Sequence, residues 1–168
     1  MSEFVRPLRL DAIGSAPATR AIEANEAERA ALAKRFDLIA LDRLEAALTA
    51  ERLAGGIVVA GHVRGAGEQA CVVSGLPVAF DIDEPLRLRF EPLTIDTDEL
   101  ELSDADLDVL ALEGDTIDLG ESAAQALGLA LEPFPKADDA ALAEARRLLV
   151  SEEQAARASN PFAALGRA

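Results

Sequence analysis

Val78-Ala79-Phe80-Asp81-Ile82-Asp83-Glu84-Pro85-Leu86-Arg87-Leu88-Arg89-Phe90 is the most regular stretch of the chain. Val78, Phe80, Ile82, Leu86, Leu88 and Phe90 occupy even positions, while Ala79, Asp81, Asp83, Arg87 and Arg89 occupy odd ones. Strand side chains point alternately to opposite faces, so this period of two predicts a long antiparallel strand with one wet face. Pro85 has no N–H to give to a neighbour, which predicts a bulge or a sheet edge there. Upstream, Ile57-Val-Val-Ala-Gly-His-Val-Arg64 is β-branched and alternating, and Gly55-Gly56 predicts the hairpin turn that enters it. Arg43 to Leu53 fits a helix or a strand by its leucine spacing; it reads as a strand because a hairpin needs two. A second turn near Gly65-Ala-Gly67 is expected to lead into a strand over Gln69–Val73, and Leu107–Leu112 adds a short one. Phe4–Leu10 is a further strand candidate.

Helical patterns flank these strands. Thr19–Phe36 is rich in Ala, Glu and Arg and reads as one helix opening near Thr19, with Leu32 and Phe36 at i,i+4. Asp118 with Glu121 is a capping pair. Ala123–Leu131 is apolar all round and should be buried, ending before Pro133 and Pro135. Asp138 and Asp139 open a last helix to Val150, with Leu142, Ala145 and Leu149 inward. The expected fold is α+β, an antiparallel β-meander of about five to six strands with an N-terminal helix and two C-terminal helices. It forms a single domain over 1–150 with an acidic loop near 91–121, followed by a tail over 151–168.

Charge narrows the function. The 168 residues carry 16 Lys and Arg against 31 Asp and Glu, a formal net charge of −15. Residues 1–66 are balanced, so the excess lies beyond them; between Glu91 and Glu121 there are twelve acids and no base. Such a chain is repelled by bare phosphate backbones and anionic lipid unless its cations cluster. One Cys makes neither an internal disulfide nor a multi-cysteine zinc site, and one His removes most triads and polyhistidine metal sites. No apolar run approaches the roughly 20 residues of a membrane span. Met1-Ser-Glu-Phe-Val-Arg6 lacks the order of a signal peptide, so a cytoplasmic protein without membrane partners is expected.

Few motifs carry chemistry. Gly65-Ala-Gly67 lacks the later glycine and the Lys-Ser/Thr pair of a phosphate loop. His62 alternates in register with Arg64 and reads as an exposed strand residue rather than a general base. Asp104, Asp106, Asp108 and Asp115 imitate a calcium loop, but Val109 stands where the turn needs Gly and Asp115 where a bidentate Glu belongs. No carboxylate pair is singled out by spacing, so no enzyme activity and no cofactor are expected. With no Trp or Tyr and six Phe, there is no stacking platform for nucleic acid. Arg6, Arg9, Arg87 and Arg89 are the candidates for an arginine face toward RNA, with edge protection as the plainer role of the last two.

Leu8-Arg-Leu-Asp11, Gln69-Ala-Cys-Val-Val-Ser-Gly-Leu-Pro-Val78, Ile117-Asp-Leu-Gly-Glu121, Leu127–Pro135 and Asn160-Pro-Phe-Ala-Ala-Leu165 occur in that order. The sequence resembles the YceD family of large ribosomal RNA subunit accumulation proteins over nearly its whole length. The positions that carry the likeness include Cys71, Asp118, Glu121, Asn160, Pro161 and Phe162. The resemblance implies a non-enzymatic role in accumulation or processing of 23S ribosomal RNA, hence in ribosome biogenesis. Many members have Cys-x-x-Cys where this chain has Cys71-Val-Val-Ser74, so no metal or redox role is carried over; Cys71 reads as a small buried strand residue. Asn160-Pro161 would turn the chain and present Phe162 and Leu165 to this fold or to a partner.

An RNA-related role and a net charge of −15 are reconciled if the RNA contact is indirect. Asp96, Asp98, Glu99, Glu101, Asp104, Asp106 and Asp108 would then bind a basic ribosomal protein or large-subunit assembly factor. Direct RNA binding through the arginines is the alternative, and a metal-dependent processing enzyme a second one for which no constellation is present.

Overall fold

The alternating stretch lies within a strand of 16 residues, Pro77–Pro92, whose even side chains Leu86, Leu88 and Phe90 are buried. The computed structural model describes residues 3–14, 16–53, 55–92, 108–112 and 114–148. In chain order the elements are β1 (Pro7–Arg9), β2 (Ala18–Glu23), α1 (Glu26–Arg35), β3 (Leu38–Leu53), β4 (Gly56–Ala70), β5 (Pro77–Pro92), β6 (Asp108–Leu112), β7 (Thr116–Asp118), α2 (Leu119–Ala130) and α3 (Asp139–Leu148). The fold is α+β. A five-stranded sheet has the order β2-β3-β4-β5-β6, and β1 pairs with β7 in a separate antiparallel ribbon.

Two compact units divide the chain: Met1–Gln69 with Ala79–Pro133, and Ala70–Val78 with Phe134–Ala168. In the first, one sheet face supplies Leu44, Leu48, Ile57, Val59, Val63, Leu88 and Phe90 to a core shared with Leu32 of α1 and Ala123, Ala124 and Leu127 of α2. Opposite them, β3 and β4 present Glu45, Ala47, His62 and Arg64 on the exposed face. In the second unit, Cys71, Pro135 and Leu142 are the buried apolar residues among those described.

Several expectations are corrected. Thr19–Glu23 is strand, not helix, because each residue pairs across to β3, from Thr19 opposite Thr49 to Glu23 opposite Glu45. The helix starts instead at a capping box. The Asn25 side chain accepts the Glu28 N–H at 3.0 Å, and the Glu28 carboxylate accepts the Asn25 N–H at 2.8 Å. Phe36 is the C-cap of α1, and Asp37 follows in the left-handed region (φ 53°), where glycine is the usual residue.

No turn forms at Gly65-Ala-Gly67, since β4 runs unbroken to Ala70. A Cβ on Gly65 would strike the Leu127 methyls of α2, and one on Gly67 would strike the Ala40 carbonyl of β3. These glycines admit close neighbours within a strand. Gln69 and Ala70 end β4, and Cys71–Ser74 form a turn, so Cys71 is not a strand residue. β6 runs parallel to β5, with Leu88 opposite Asp108, so the meander ends one strand early. The supposed acidic loop contains β6, β7 and the first turn of α2. α2 is not buried all round, because Leu129 is 83% exposed. The alternation of β5, the Gly55 turn (φ 88°) and the Asp118 cap match the expectations.

Candidate functional site

The four candidate arginines are divided between the β1 ribbon and its approach, with Arg6 and Arg9, and β5 of the large sheet, with Arg87 and Arg89. Arg6 precedes β1 and is committed within the protein. Its guanidinium donates to both Glu28 oxygens at 2.8 Å, to the Val5 carbonyl at 2.8 Å and to the Glu23 carbonyl at 2.9 Å. It also stacks 4.5 Å from the Phe4 ring centre. The hydrogen bonds from Arg6 hold the Glu28 carboxyl below the usual glutamate range. Arg9, on β1, pairs with Asp11 at 2.8 Å, and Arg89, on β5, pairs with Glu91. Arg87 is exposed and has no carboxylate partner among the described residues.

Of the acidic candidates, Asp96, Asp98, Glu99, Glu101, Asp104 and Asp106 lie outside the described residues, and Asp108 opens β6 opposite Leu88. Asn160, Pro161 and Phe162 also lie outside them. Asp118 is the N-cap of α2, and its Oδ1 accepts the N–H groups of Arg6, Gly120 and Glu121 at 2.8, 3.0 and 3.2 Å. Glu121 turns away from the cap to form a two-point ion pair with Arg35, at 2.7 and 2.9 Å.

Cys71 sits in a tight turn of the second unit. Its N–H donates to the Leu76 carbonyl and its carbonyl accepts from Gly75, each at 2.8 Å. The sulfur accepts the Ala137 N–H at 3.3 Å. That bond, followed by the Ser74 hydroxyl and the Val73 and Ser74 amides, brings the thiol down to about 7. Ser74 thus occupies the position two residues beyond Val72 as a donor to sulfur, not as a second thiolate. Among the described residues, no group of three or more His, Cys, Asp and Glu is placed to hold a metal, and no helix is long and apolar enough to cross a membrane.

The exposed face of the sheet carries an arrangement the sequence did not disclose. Strand register places Ala21, Ala47 and His62 directly across from one another on β2, β3 and β4, and likewise Glu23, Glu45 and Arg64. Asp83 of β5 accepts from His62 Nδ1–H at 3.0 Å and from Arg64 Nε at 2.9 Å, so it links the two rows. Those two donors, His62 first, hold the Asp83 carboxyl below its ordinary range. Between them lies a groove of about 510 Å³ lined by Ala21, Glu23, Glu45, Ala47, His62 and Arg64.

No family model, curated protein or solved structure matches the chain.

The groove residues escaped the sequence reading because Glu23 was placed on a helix and Asp83 was not assigned to any partner. Two features point to them. Thr19, Ala21 and Glu23 alternate with Arg20 and Ile22, as a strand would, and Asn25-x-x-Glu28 marks where the helix begins. The pairing of His62 with Asp83 depends on strand register, which single-strand patterns do not specify.

Proposed function

We propose that the chain is a non-enzymatic ribosome-biogenesis factor of the YceD type, supporting accumulation of large-subunit ribosomal RNA by binding a basic ribosomal protein or assembly factor through acidic surface. The observation that carries this reading is where opposite charges end up. Arg6, Arg9 and Arg89 are each paired with a carboxylate of their own chain, whereas the stretch from Glu91 to Glu121 has twelve acids and no base. Internal pairing lowers the capacity of those arginines to replace phosphate counterions, while a stretch with twelve acids and no base of its own steers cationic proteins toward it.

The test is capture from lysate on the immobilised full chain at low and moderate salt, with and without nuclease, scoring proteins and RNA. Basic large-subunit proteins should survive nuclease and be released by salt. Replacing Asp96, Asp98, Glu101 and Asp104 with Lys should abolish their capture. Recovery of RNA alone, lost on nuclease treatment, would transfer the role to arginines and overturn the protein-directed reading.

A further inference from the structure

We propose that the groove over Ala21 and Ala47 docks an extended, Lys- or Arg-bearing segment of the basic protein partner; the inference rests on the reading above and supplies its point of contact. The groove floor is two alanine methyls, directly opposite in register, so the backbone of a ligand can come close to the sheet. At one end Glu23 and Glu45 face each other across β2 and β3. Directly opposed side chains have Cβ atoms about 4.5–5.5 Å apart, and like charges so placed repel.

Arg64 lies across from Glu45, but its Nε is given to Asp83. The Glu23 carboxylate has no hydrogen-bond or ion-pair partner among the described residues. Glu23, Glu45 and Asp83 therefore bring three formal negative charges against the one positive charge of Arg64. His62 is turned to Asp83 through Nδ1, and its ring borders the groove beside these carboxylates. Carboxylate acceptors beside an apolar floor match an ammonium or guanidinium head on an aliphatic stem.

The ligand lies on the face rather than adding to the edge of β2. The Thr19 carbonyl already accepts from Arg20 and the Glu23 carbonyl from Arg6, at 2.9 Å each, so a new strand would find these acceptors taken. An extended segment repeats its side-chain direction every second residue, roughly 6.5–7 Å, so alternate cations project toward one face.

The probe is acetyl-(Lys-Thr)4-amide titrated into the full-length protein with methyl-labelled alanine, read by NMR at low salt. The Ala21 and Ala47 methyls should move, and a Glu23→Gln/Glu45→Gln variant with unchanged amide dispersion should bind at least tenfold more weakly. A Glu23→Gln single variant, which removes repulsion without breaking an ion pair, should bind more weakly while its urea midpoint does not fall. The (Glu-Thr)4 peptide should leave both methyls in place.

The inference is overturned if the Lys peptide leaves Ala21 and Ala47 unmoved, if the double variant binds as well as wild type, or if a decauridylate shifts these methyls instead. Capture of basic ribosomal proteins that persists in the double variant would locate the partner site elsewhere and leave the proposed function standing. Loss of capture in wild type itself would remove both.

Discussion

Replacing Arg6 with Met keeps an aliphatic stem over Phe4 and deletes the guanidinium, which makes this the sharpest test of that arginine's structural role. The guanidinium meets Glu28 through two charge-assisted bonds of 2.8 Å, and the two side chains are 30% and 18% exposed. Hydrogen bonds to charged groups contribute about 1.5–3 kcal/mol, and partial exposure places this pair toward the lower end. Stacking on Phe4 adds roughly 0.5–1 kcal/mol. Arg6→Met should therefore cost about 2 kcal/mol, lowering the urea midpoint by roughly 1 M for a slope of about 2 kcal/mol/M. A double-mutant cycle with Glu28→Gln should return a coupling of about 1 kcal/mol.

The pH dependence has a definite sign. Glu28 has its folded pKa depressed by Arg6, so the pair contributes fully above the unfolded glutamate pKa and is lost as pH falls through the lower folded value. The gap between wild type and Arg6→Met should be constant near neutrality and close in acid, below the ordinary glutamate range. Urea melts of the four proteins of the cycle near neutral pH and in acid decide the matter. A coupling under about 0.3 kcal/mol, or a gap indifferent to pH, would refute the structural role and release Arg6 for an outside ligand.

Two further outcomes are expected. Asp37→Gly should raise stability by up to about 1 kcal/mol, measured by urea melts, because the position has a φ of 53° and glycine enters that region without a Cβ penalty; a loss would mean that the aspartate side chain has a local role. The ultraviolet thiolate absorbance of Cys71 should titrate near 7, and Ser74→Ala should move the midpoint upward by removing a donor to sulfur. Because this folded pKa is lowered, the thiolate's contribution to stability is present at alkaline pH and fades as pH falls through about 7.

Much of the sheet was legible because β5 buries one side chain in two over Leu86–Phe90, and burial on one face leaves a period of two in the sequence. The Gly55 turn and the Asp118 cap were legible for local reasons: each is a backbone demand met by one residue type. β2 was not. Alanine, glutamate and arginine favour helix in isolation, yet the ladder to β3 overrides that preference over Ala18–Glu23. Gly65 and Gly67 read as a turn because the helix and strand that press on them are remote in sequence. The parallel direction of β6 leaves no local trace, since side-chain alternation is the same in either direction. The candidate site divides similarly. Exposure of His62 followed from strand alternation, whereas Glu23 beside Glu45 and Asp83 between His62 and Arg64 required the register of four strands.

The ribbon of β1 and β7 joins Pro7 to Asp118 and places the Arg6 N–H on the Asp118 carboxylate, 112 residues away. β3 and β4, by contrast, meet through a tight hairpin and can zip as soon as both exist. During synthesis at about 5–20 residues per second, the segment bearing Phe4 and Leu8 must wait on the order of 6–22 s before its partner strand is made. Both side chains are buried in the finished fold. Until then they are apolar surface on a nascent chain, so the opening residues are where a chaperone would engage and where truncated chains would stick together.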